Sequence, residues 1–244
     1  MSRPRRGTRA SGRIALRAIL KKLEAQADPA AVAAMARFGI HAKEAYGIPT
    51  PKLRQLAREI EKNHRLAEQL WATGIHDARH LAALVDEPER VTAAQMERWA
   101  RDFDSWDVVD GTCCHLFVYT APAWQKAVEW SRREKEYVCR AGFAMMAFLA
   151  VHDKAAPDAK FARLLPIIRR RASDERNFVK KAVNWALRQI GKRNAHLNRL
   201  AIRTARKIRS SNSLAARWVA ADALRELTGA AVQRRLAGRA RRPA

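Results

Sequence analysis

The sequence contains few of the residues that interrupt helices or cross-link chains. Its 244 residues include ten glycines, nine prolines and three cysteines. So little glycine and proline argues against the many tight hairpins of a β protein, and no stretch alternates apolar and polar residues as a half-buried strand would. Cys113, Cys114 and Cys139 have no metal-binding spacing, form no disulfide framework and suit a reducing compartment.

Long apolar runs are also missing. No run approaches the length that a bilayer-spanning helix needs. The first residues, MSRPRRGTRASGR, lack the apolar segment of a secretory signal. We therefore expect a cytoplasmic protein with no membrane partner, and the length is sufficient for a substantial buried core.

Negative charge is scarce. There are 24 acidic residues against 48 Lys and Arg, which gives a formal net charge of +24. Such an excess repels itself unless polyanions are near, so nucleic acid is the leading candidate partner. A ribosomal or merely cationic protein is the alternative. The chain is nevertheless 48% hydrophobic and has seven tryptophans, which indicates a folded body rather than a basic tail.

Helix start and stop signals recur along the chain. Asp28 and Thr50 each precede a proline, as helix N-caps often do. Glycines stand where helices should end, at Gly39, Gly47, Gly74 and Gly191. Apolar spacing of three and four predicts helices that include 14–26, 51–63, 92–103, 158–171 and 214–227.

A dozen or more short helices with brief connections predict an all-α fold. We expect antiparallel helix pairs stacked into an α-solenoid, with a compact all-α domain as the alternative. Residues 13–229 would form this single domain. Arginines crowd residues 1–12 and 230–244, which we interpret as a basic N-terminal and a basic C-terminal arm, serving either solubility or DNA contact.

One tryptophan departs from the apolar stripe of its helix. In NFVKKAVNWALRQIGKR, Asn177 to Arg193, one stripe is formed by Val179, Val183, Ala186, Leu187 and Ile190. At about 100° per residue, Trp185 lies roughly 140° from the centre of that stripe. It falls instead among Lys181, Arg188 and Lys192. An aromatic ring on a cationic face suits contact with nucleic acid.

A second tryptophan is paired with a carboxylate. In DSWDVVDGTCCHLFVYT, Asp104 to Thr120, Trp106 and Asp110 are four residues apart, on one helix face with Cys113 and Phe117. The expected core stripe comprises Val108, Val109, Thr112, Leu116 and Tyr119. The face that carries Trp106 is either a second buried face, with Asp110 in a salt bridge, or a functional one.

A third unusual residue is Arg140, the only charged residue of YVCRAGFAMMAFLAV, Tyr137 to Val151. A helix that is apolar on every side is buried, and a buried guanidinium needs a partner. Arg140 should pair with an internal carboxylate, such as Asp110, or with a phosphate. Both partners are compatible with the sequence.

A metal site is not expected. HDARH, His76 to His80, has two histidines four residues apart, but Asp replaces the Glu of the zinc-protease motif and no third ligand is evident. We interpret it as a solvated helix start. No phosphate-binding glycine loop or Ser-His-Asp arrangement is present either, so we expect no cofactor.

Five segments together resemble the AlkD-like DNA alkylation repair glycosylases, which are built from HEAT-like repeats. They lie between Ile14 and Leu227, in this order: GIPTPKLRQLAREI, DFDSWDVVDG, CRAGFAMMAFLAVHDK, NFVKKAVNWALRQIGKR and LAARWVAADALREL. The resemblance implies a concave basic groove that holds duplex DNA and an enzyme that releases cationic N3- and N7-alkylpurines. One departure is Ser105, where some members have a second tryptophan.

The resemblance also implies roles for particular residues. Trp106, Asp110 and Trp185 match the catalytic residues, and Arg140 matches the arginine of the cleft, with Lys181, Arg188 and Lys192 holding the phosphate backbone. The substrate would be double-stranded DNA with alkylated bases and the enzyme a monomer. Two alternatives are open: a non-catalytic nucleic-acid scaffold, with Asp110 as a structural anion for Arg140, and a protein-binding solenoid.

Overall fold

The computed structural model describes residues 7–240, and side chains from 16 to 238. Within that range the chain is helical, with no strand, which confirms the predicted all-α class. Arg3, Arg5, Arg6, Arg241 and Arg242 of the predicted arms lie outside the described residues. No helix in the described range has both the length and the apolar character needed to cross a bilayer.

Fifteen α-helices are assigned in this range, and three short 3-10 turns, at Ala36–Phe38, Pro88–Arg90 and Phe117–Tyr119, separate some of them. The α-helices are α1 (Gly7–Glu24), α2 (Pro29–Met35), α3 (Thr50–Ile60), α4 (His64–Ala72), α5 (His76–Val85), α6 (Ala93–Arg101), α7 (Trp106–His115), α8 (Ala123–Trp130), α9 (Glu136–His152), α10 (Asp158–Ala162), α11 (Leu165–Arg171), α12 (Asn177–Gly191), α13 (Ala195–Arg209), α14 (Leu214–Thr228) and α15 (Ala230–Ala240).

The chain divides after Thr120 into two compact units. The first contains α1 to α7 and the second α8 to α15. In both units consecutive helices pack against each other across short connections, as α4 and α5 do in the first and α13 and α14 in the second. The segment predicted as a C-terminal arm contains α15, which packs on α13 and α14.

The predicted helix over 158–171 is two helices. α10 ends at Ala162 and α11 begins at Leu165. Pro166 explains the break, because it has no N–H to donate to Ala162 and its ring would clash with that carbonyl in a continuous helix. Proline is instead accommodated in the first turn of α11.

The predicted caps are correct in part. Asp28 caps α2, since its carboxylate accepts the amide N–H of Ala31 at 3.0 Å. The prediction for Thr50 is wrong, because α3 already begins there and Pro49 occupies the N-cap position. Gly47, predicted to end a helix, lies in the irregular connection before α3 with φ +73°, where a Cβ would approach the Asp28 carbonyl oxygen to 2.8 Å.

In the first unit, α5 organises its neighbours through polar side chains. Asp77 is almost fully buried and accepts the backbone N–H groups of Tyr46 at 2.6 Å and Ile48 at 2.8 Å. The irregular segment 40–49 is therefore held by a side chain of α5. Arg79 pairs with Asp104 just before α7, at 2.9 Å.

In the second unit, α9 is central and packs on both α8 and α12. Gly142 permits a very close approach of α9 to the end of α8, because a Cβ there would lie 2.3 Å from the Ser131 backbone nitrogen. Twelve of the seventeen residues of α9 are buried, as its apolar sequence predicts.

Candidate functional site

Helix α7 presents Trp106 and Asp110 one turn apart at its N-terminal half. Both side chains are half-buried. The indole Nε1 of Trp106 donates to the carbonyl oxygen of Phe38 at 2.9 Å, at the end of the first 3-10 turn. The indole is therefore oriented by the backbone of a neighbouring segment, with part of its surface still accessible.

The face predicted to carry Trp106, Asp110, Cys113 and Phe117 is divided by the structure. Cys113 and Phe117 are fully buried, whereas Trp106 and Asp110 are not. Tyr119, predicted in the core stripe, is 53% exposed, so that prediction is wrong. The reason is that α7 ends at His115 and a 3-10 turn follows, so the helical period does not extend to Tyr119.

Asp110 lies in a mixed electrostatic environment. Burial raises the pKa of the neighbouring Cys114 thiol, the cationic Arg54 opposes this rise, and the negative charge of Asp110 adds to it. Arg54 comes from α3, and its Nη2 lies 3.4 Å from Nε2 of His115 on α7. A carboxylate, a guanidinium and an imidazole are thus offered by α3 and α7.

His76 and His80 form a cluster with Asp107, the residue that follows Trp106. Asp107 Oδ2 lies 2.9 Å from His76 Nε2 and 3.4 Å from His80 Nε2. The two imidazole rings meet edge to face at 4.9 Å. The interpretation of HDARH as a solvated helix start is therefore wrong: His76 and Asp77 are buried, because α7 packs over this face of α5 and supplies a third side chain.

The cluster is strongly coupled electrostatically. Burial opposes ionisation of Asp107, but hydrogen bonds with His76 and His80 outweigh it and hold the pKa of Asp107 far below its usual range. Burial likewise opposes protonation of His76, but the hydrogen bond and negative charge of Asp107 raise its pKa. The carboxylate therefore remains ionised and favours the protonated form of His76.

In the second unit, Arg140 is buried as its sequence context predicts. Its Nη1 donates to the carbonyl oxygen of Phe178, in the first turn of α12, at 2.8 Å. One partner of the buried guanidinium is thus a backbone carbonyl, and this bond joins α9 to α12.

Trp185 lies on α12 as predicted, outside the core stripe. All five residues of that stripe are fully buried, whereas Trp185 is half-buried. Its ring meets Phe148 of α9 edge to face, with centroids 4.8 Å apart and planes at 82°. An aromatic pair of this geometry fixes the indole more firmly than a bare surface would.

Two of the three cations predicted beside Trp185 have intramolecular partners. Arg188 Nη1 lies 2.5 Å from Glu226 Oε2 and 3.6 Å from Asp222 Oδ2, and Lys192 Nζ lies 2.6 Å from Glu226 Oε1. Lys181 is exposed. A phosphate that binds Arg188 or Lys192 would therefore compete with a carboxylate of α14.

Sequence reasoning missed an exposed tryptophan in this unit. Trp218 of α14 is 42% exposed, and Lys180 Nζ lies 5.2 Å from its ring centroid. The signal was present, because Trp218 is two positions from each of the apolar residues Ala216 and Ala220 and therefore lies on the opposite side of the helix from both. A cationic cleft of about 770 Å³ also opens in this unit, lined by Lys154, Lys192, Arg193 and Arg235 among others.

The predicted site residues are distributed over both units. Trp106 and Asp110 belong to the first, and Arg140, Lys181, Trp185, Arg188 and Lys192 to the second. Within the second unit, the packing of α9 on α12 links the segments that carry Arg140, Phe148 and Trp185. Each unit therefore offers aromatic and charged side chains on adjacent helices.

Comparison with known proteins defines the class of fold first. The chain superimposes with a TM-score of 0.76 on a solved structure described as belonging to "a new family of proteins related to the HEAT-like repeat DNA glycosylases with affinity for branched DNA structures". The match covers 91% of this chain and 95% of that chain, at 20% identity. The fold is thus that of the HEAT-like repeat proteins, as the sequence predicted.

The family follows from the sequence. Residues 19–227 match the sequence model of the family described as DNA alkylation repair enzyme. This chain belongs to that family. A comparison with curated proteins finds no match.

Proposed function

We propose that this protein is a DNA glycosylase that hydrolyses the N-glycosidic bond of cationic N3- and N7-alkylated purines in duplex DNA. The family match over 209 residues supports a role in alkylation repair. The observation that most supports a hydrolytic mechanism is the position of Asp110, which is half-buried and lies one turn after Trp106 on α7.

The chemistry needs little from the protein. An alkylated purine is already cationic, so it leaves as a neutral base without a general acid. Water adds its oxygen to the anomeric carbon, the glycosidic bond breaks, and one proton is released to solvent. The sugar passes through an oxocarbenium-like state, which a partly desolvated carboxylate stabilises by Coulomb attraction.

We assign these roles residue by residue. Asp110 stabilises the sugar cation and orients the water. The electron-rich faces of Trp106 and Trp185 stabilise positive charge on the sugar. The hydrogen bond from Trp106 to Phe38 and the edge-to-face contact of Trp185 with Phe148 support these roles, because a ring held in place needs no ordering on binding.

The cations serve binding. Among the described residues no ion pair of Lys181 has to break before it binds a phosphate. Arg188 and Lys192, in contrast, must each give up an ion pair with Glu226. Arg140, which donates to the Phe178 carbonyl oxygen, is assigned to DNA binding as well. Phosphate contacts position the duplex without reading its sequence.

The test is release of 7-methylguanine from methylated duplex DNA by the unaltered protein and by Asp110→Asn. The variant should lose most of the release and keep DNA binding. Glu89→Gln removes one negative charge from an exposed position and is the matched control, with unchanged release expected. Normal activity in Asp110→Asn would refute the mechanism.

A second candidate is a non-catalytic binder of branched DNA. The affinity of the structurally similar protein for branched structures favours it. It predicts no base release from any methylated duplex, and tighter binding to a four-way junction than to a linear duplex of the same length. Binding of both DNAs should fall steeply with salt, as counterion release requires.

A further inference from the structure

The three side chains His76, His80 and Asp107 form a donor set that the proposed function does not use. Their ligand atoms all lie within 4.8 Å of one another. The histidines are four residues apart on α5 and therefore share one face, and Asp107 faces them from the first turn of α7. All three belong to the first unit.

The distances suit a metal ion. Tetrahedral ligands at the usual zinc distances of about 2.0–2.1 Å are separated from each other by roughly 3.3 Å. The two oxygen–nitrogen distances in the cluster, 2.9 Å and 3.4 Å, lie on either side of that value. Small rotations of the side chains would place all three donors around one ion.

The cluster also has unused coordinating capacity. Both ring nitrogens approach the same oxygen, Oδ2 of Asp107, while its Oδ1 is buried and has no hydrogen-bond partner in the described structure. A buried carboxylate oxygen without a donor is costly, and a cation at the carboxylate would relieve that cost.

The surroundings are shaped for the second histidine. Gly111, one turn after Asp107 on α7, leaves room for the ring of His80, since a Cβ there would lie 2.8 Å from His80 Nδ1. The nearby carboxylates are already engaged: Asp77 accepts two backbone N–H groups, and Asp104 pairs with Arg79. Asp107 is thus the acidic residue that is available for a cation at this place.

An ion could reach the cluster from solvent. The side chain of His76 is 6% exposed, but those of His80 and Asp107 are 15% and 20% exposed. Three protein ligands at a partly open position leave room for a water as the fourth ligand. Imidazole nitrogens and a carboxylate oxygen are a donor set that zinc and other divalent first-row transition metals accept.

We propose that His76, His80 and Asp107 bind one divalent transition-metal ion, with Zn²⁺ as the expected species, between α5 and α7. The ion would fasten α7, the helix that carries Trp106 and Asp110, to α5. The site is independent of the proposed glycosylase chemistry, and its occupancy is measured without any activity assay.

The experiment is titration of the full-length, chelator-treated protein, prepared without a polyhistidine tag, with Zn²⁺ in a calorimeter. We expect saturable binding of one ion per chain. His80→Ala should weaken binding by about a hundredfold, since it removes one of three ligands. His196→Ala removes an exposed histidine of α13 and should leave the affinity unchanged. Absence of saturable binding, or equal affinities in the unaltered protein and His80→Ala, would overturn the proposal.

Two further measurements keep the test valid if His80→Ala does not fold. Co²⁺ bound to the unaltered protein should show the intense visible absorption of a four-coordinate site; a weak, six-coordinate spectrum would contradict the proposal. Gly111→Ala keeps every ligand but displaces the His80 ring, and should weaken Zn²⁺ binding about tenfold or more. An unchanged affinity in this variant would count against the assigned geometry.

Discussion

Replacing Glu226 by Gln should strengthen DNA binding if Arg188 and Lys192 contact phosphate. Glu226 accepts a short ion pair from each of them, at 2.5 Å and 2.6 Å. These contacts hold the pKa of Glu226 below its usual range in spite of burial, so the carboxylate is ionised at neutral pH. In the unaltered protein each phosphate contact would first require one of these pairs to open.

The size of the gain follows from the exposure of the pairs. The side chains of Arg188, Lys192 and Glu226 are 29%, 18% and 28% exposed. Pairs near the surface contribute about 0.2–1 kcal/mol each. Two of them together would oppose DNA binding by about 0.4–2 kcal/mol, so Glu226→Gln should bind duplex DNA roughly 2- to 30-fold more tightly. The same loss should lower the thermal stability of the variant slightly.

Fluorescence anisotropy with a labelled duplex at several salt concentrations measures both affinity and its salt dependence. Glu89→Gln makes the same change in net charge at an exposed position of the first unit and is the control. Replacing Arg188 and Lys192 by Ala in the Glu226→Gln background should cancel the gain and reduce the salt slope by roughly 1.8, because two phosphate contacts are lost. Equal affinities for Glu226→Gln and Glu89→Gln would show that these cations do not bind the backbone.

Two further predictions concern stability. Gly142→Ala should lower the melting temperature by several degrees, because the new Cβ meets backbone atoms at the end of α8 and overpacking of this kind costs about 1–3 kcal/mol. Gly238→Ala is the control and should leave the melting temperature unchanged, since the space around Gly238 is open. A melting temperature of Gly142→Ala at or above that of the unaltered protein would contradict the close approach of the helices. Burial opposes ionisation of Asp174, but hydrogen bonds from Arg176 lower its pKa. The ionised carboxylate therefore stabilises the fold at neutral pH, and this contribution is lost as the pH falls below about 4. In urea unfolding, Asp174→Asn should have a lower free energy of unfolding than the unaltered protein at pH 7, and this free energy should fall less on acidification.

Features that depend on local periodicity were predictable from sequence. The buried stripe of α12 follows from its apolar spacing, and the burial of α9 follows from its being apolar on every side. The burial of Arg140 follows from the apolar residues that flank it in the sequence of α9. The chain separation of Trp106 and Asp110 also indicates correctly that they lie one turn apart on a helix. In each case a single helix determines the outcome.

Features that depend on a second helix were not predictable. The ion pairs of Arg188 and Lys192 require Glu226, more than thirty residues later, and the carbonyl partner of Arg140 is on another helix. The histidine cluster is a further example, because its third member, Asp107, is 27 residues from His80 and lies on a different helix. The exposure of Tyr119 depends on where α7 stops, which no start or stop residue in the sequence marks.

The polar side chains of α5 have a mechanical consequence. Asp77 holds the backbone of Tyr46 and Ile48, and His76 holds Asp107, while the indole of Trp106 reaches back to the carbonyl of Phe38. The irregular segment after Phe38, α5 and the start of α7 are thereby joined in one closed network of hydrogen bonds. A ligand that displaces this segment would therefore displace Trp106 as well, so nucleic acid bound to the segment would change the position of α7 without touching it.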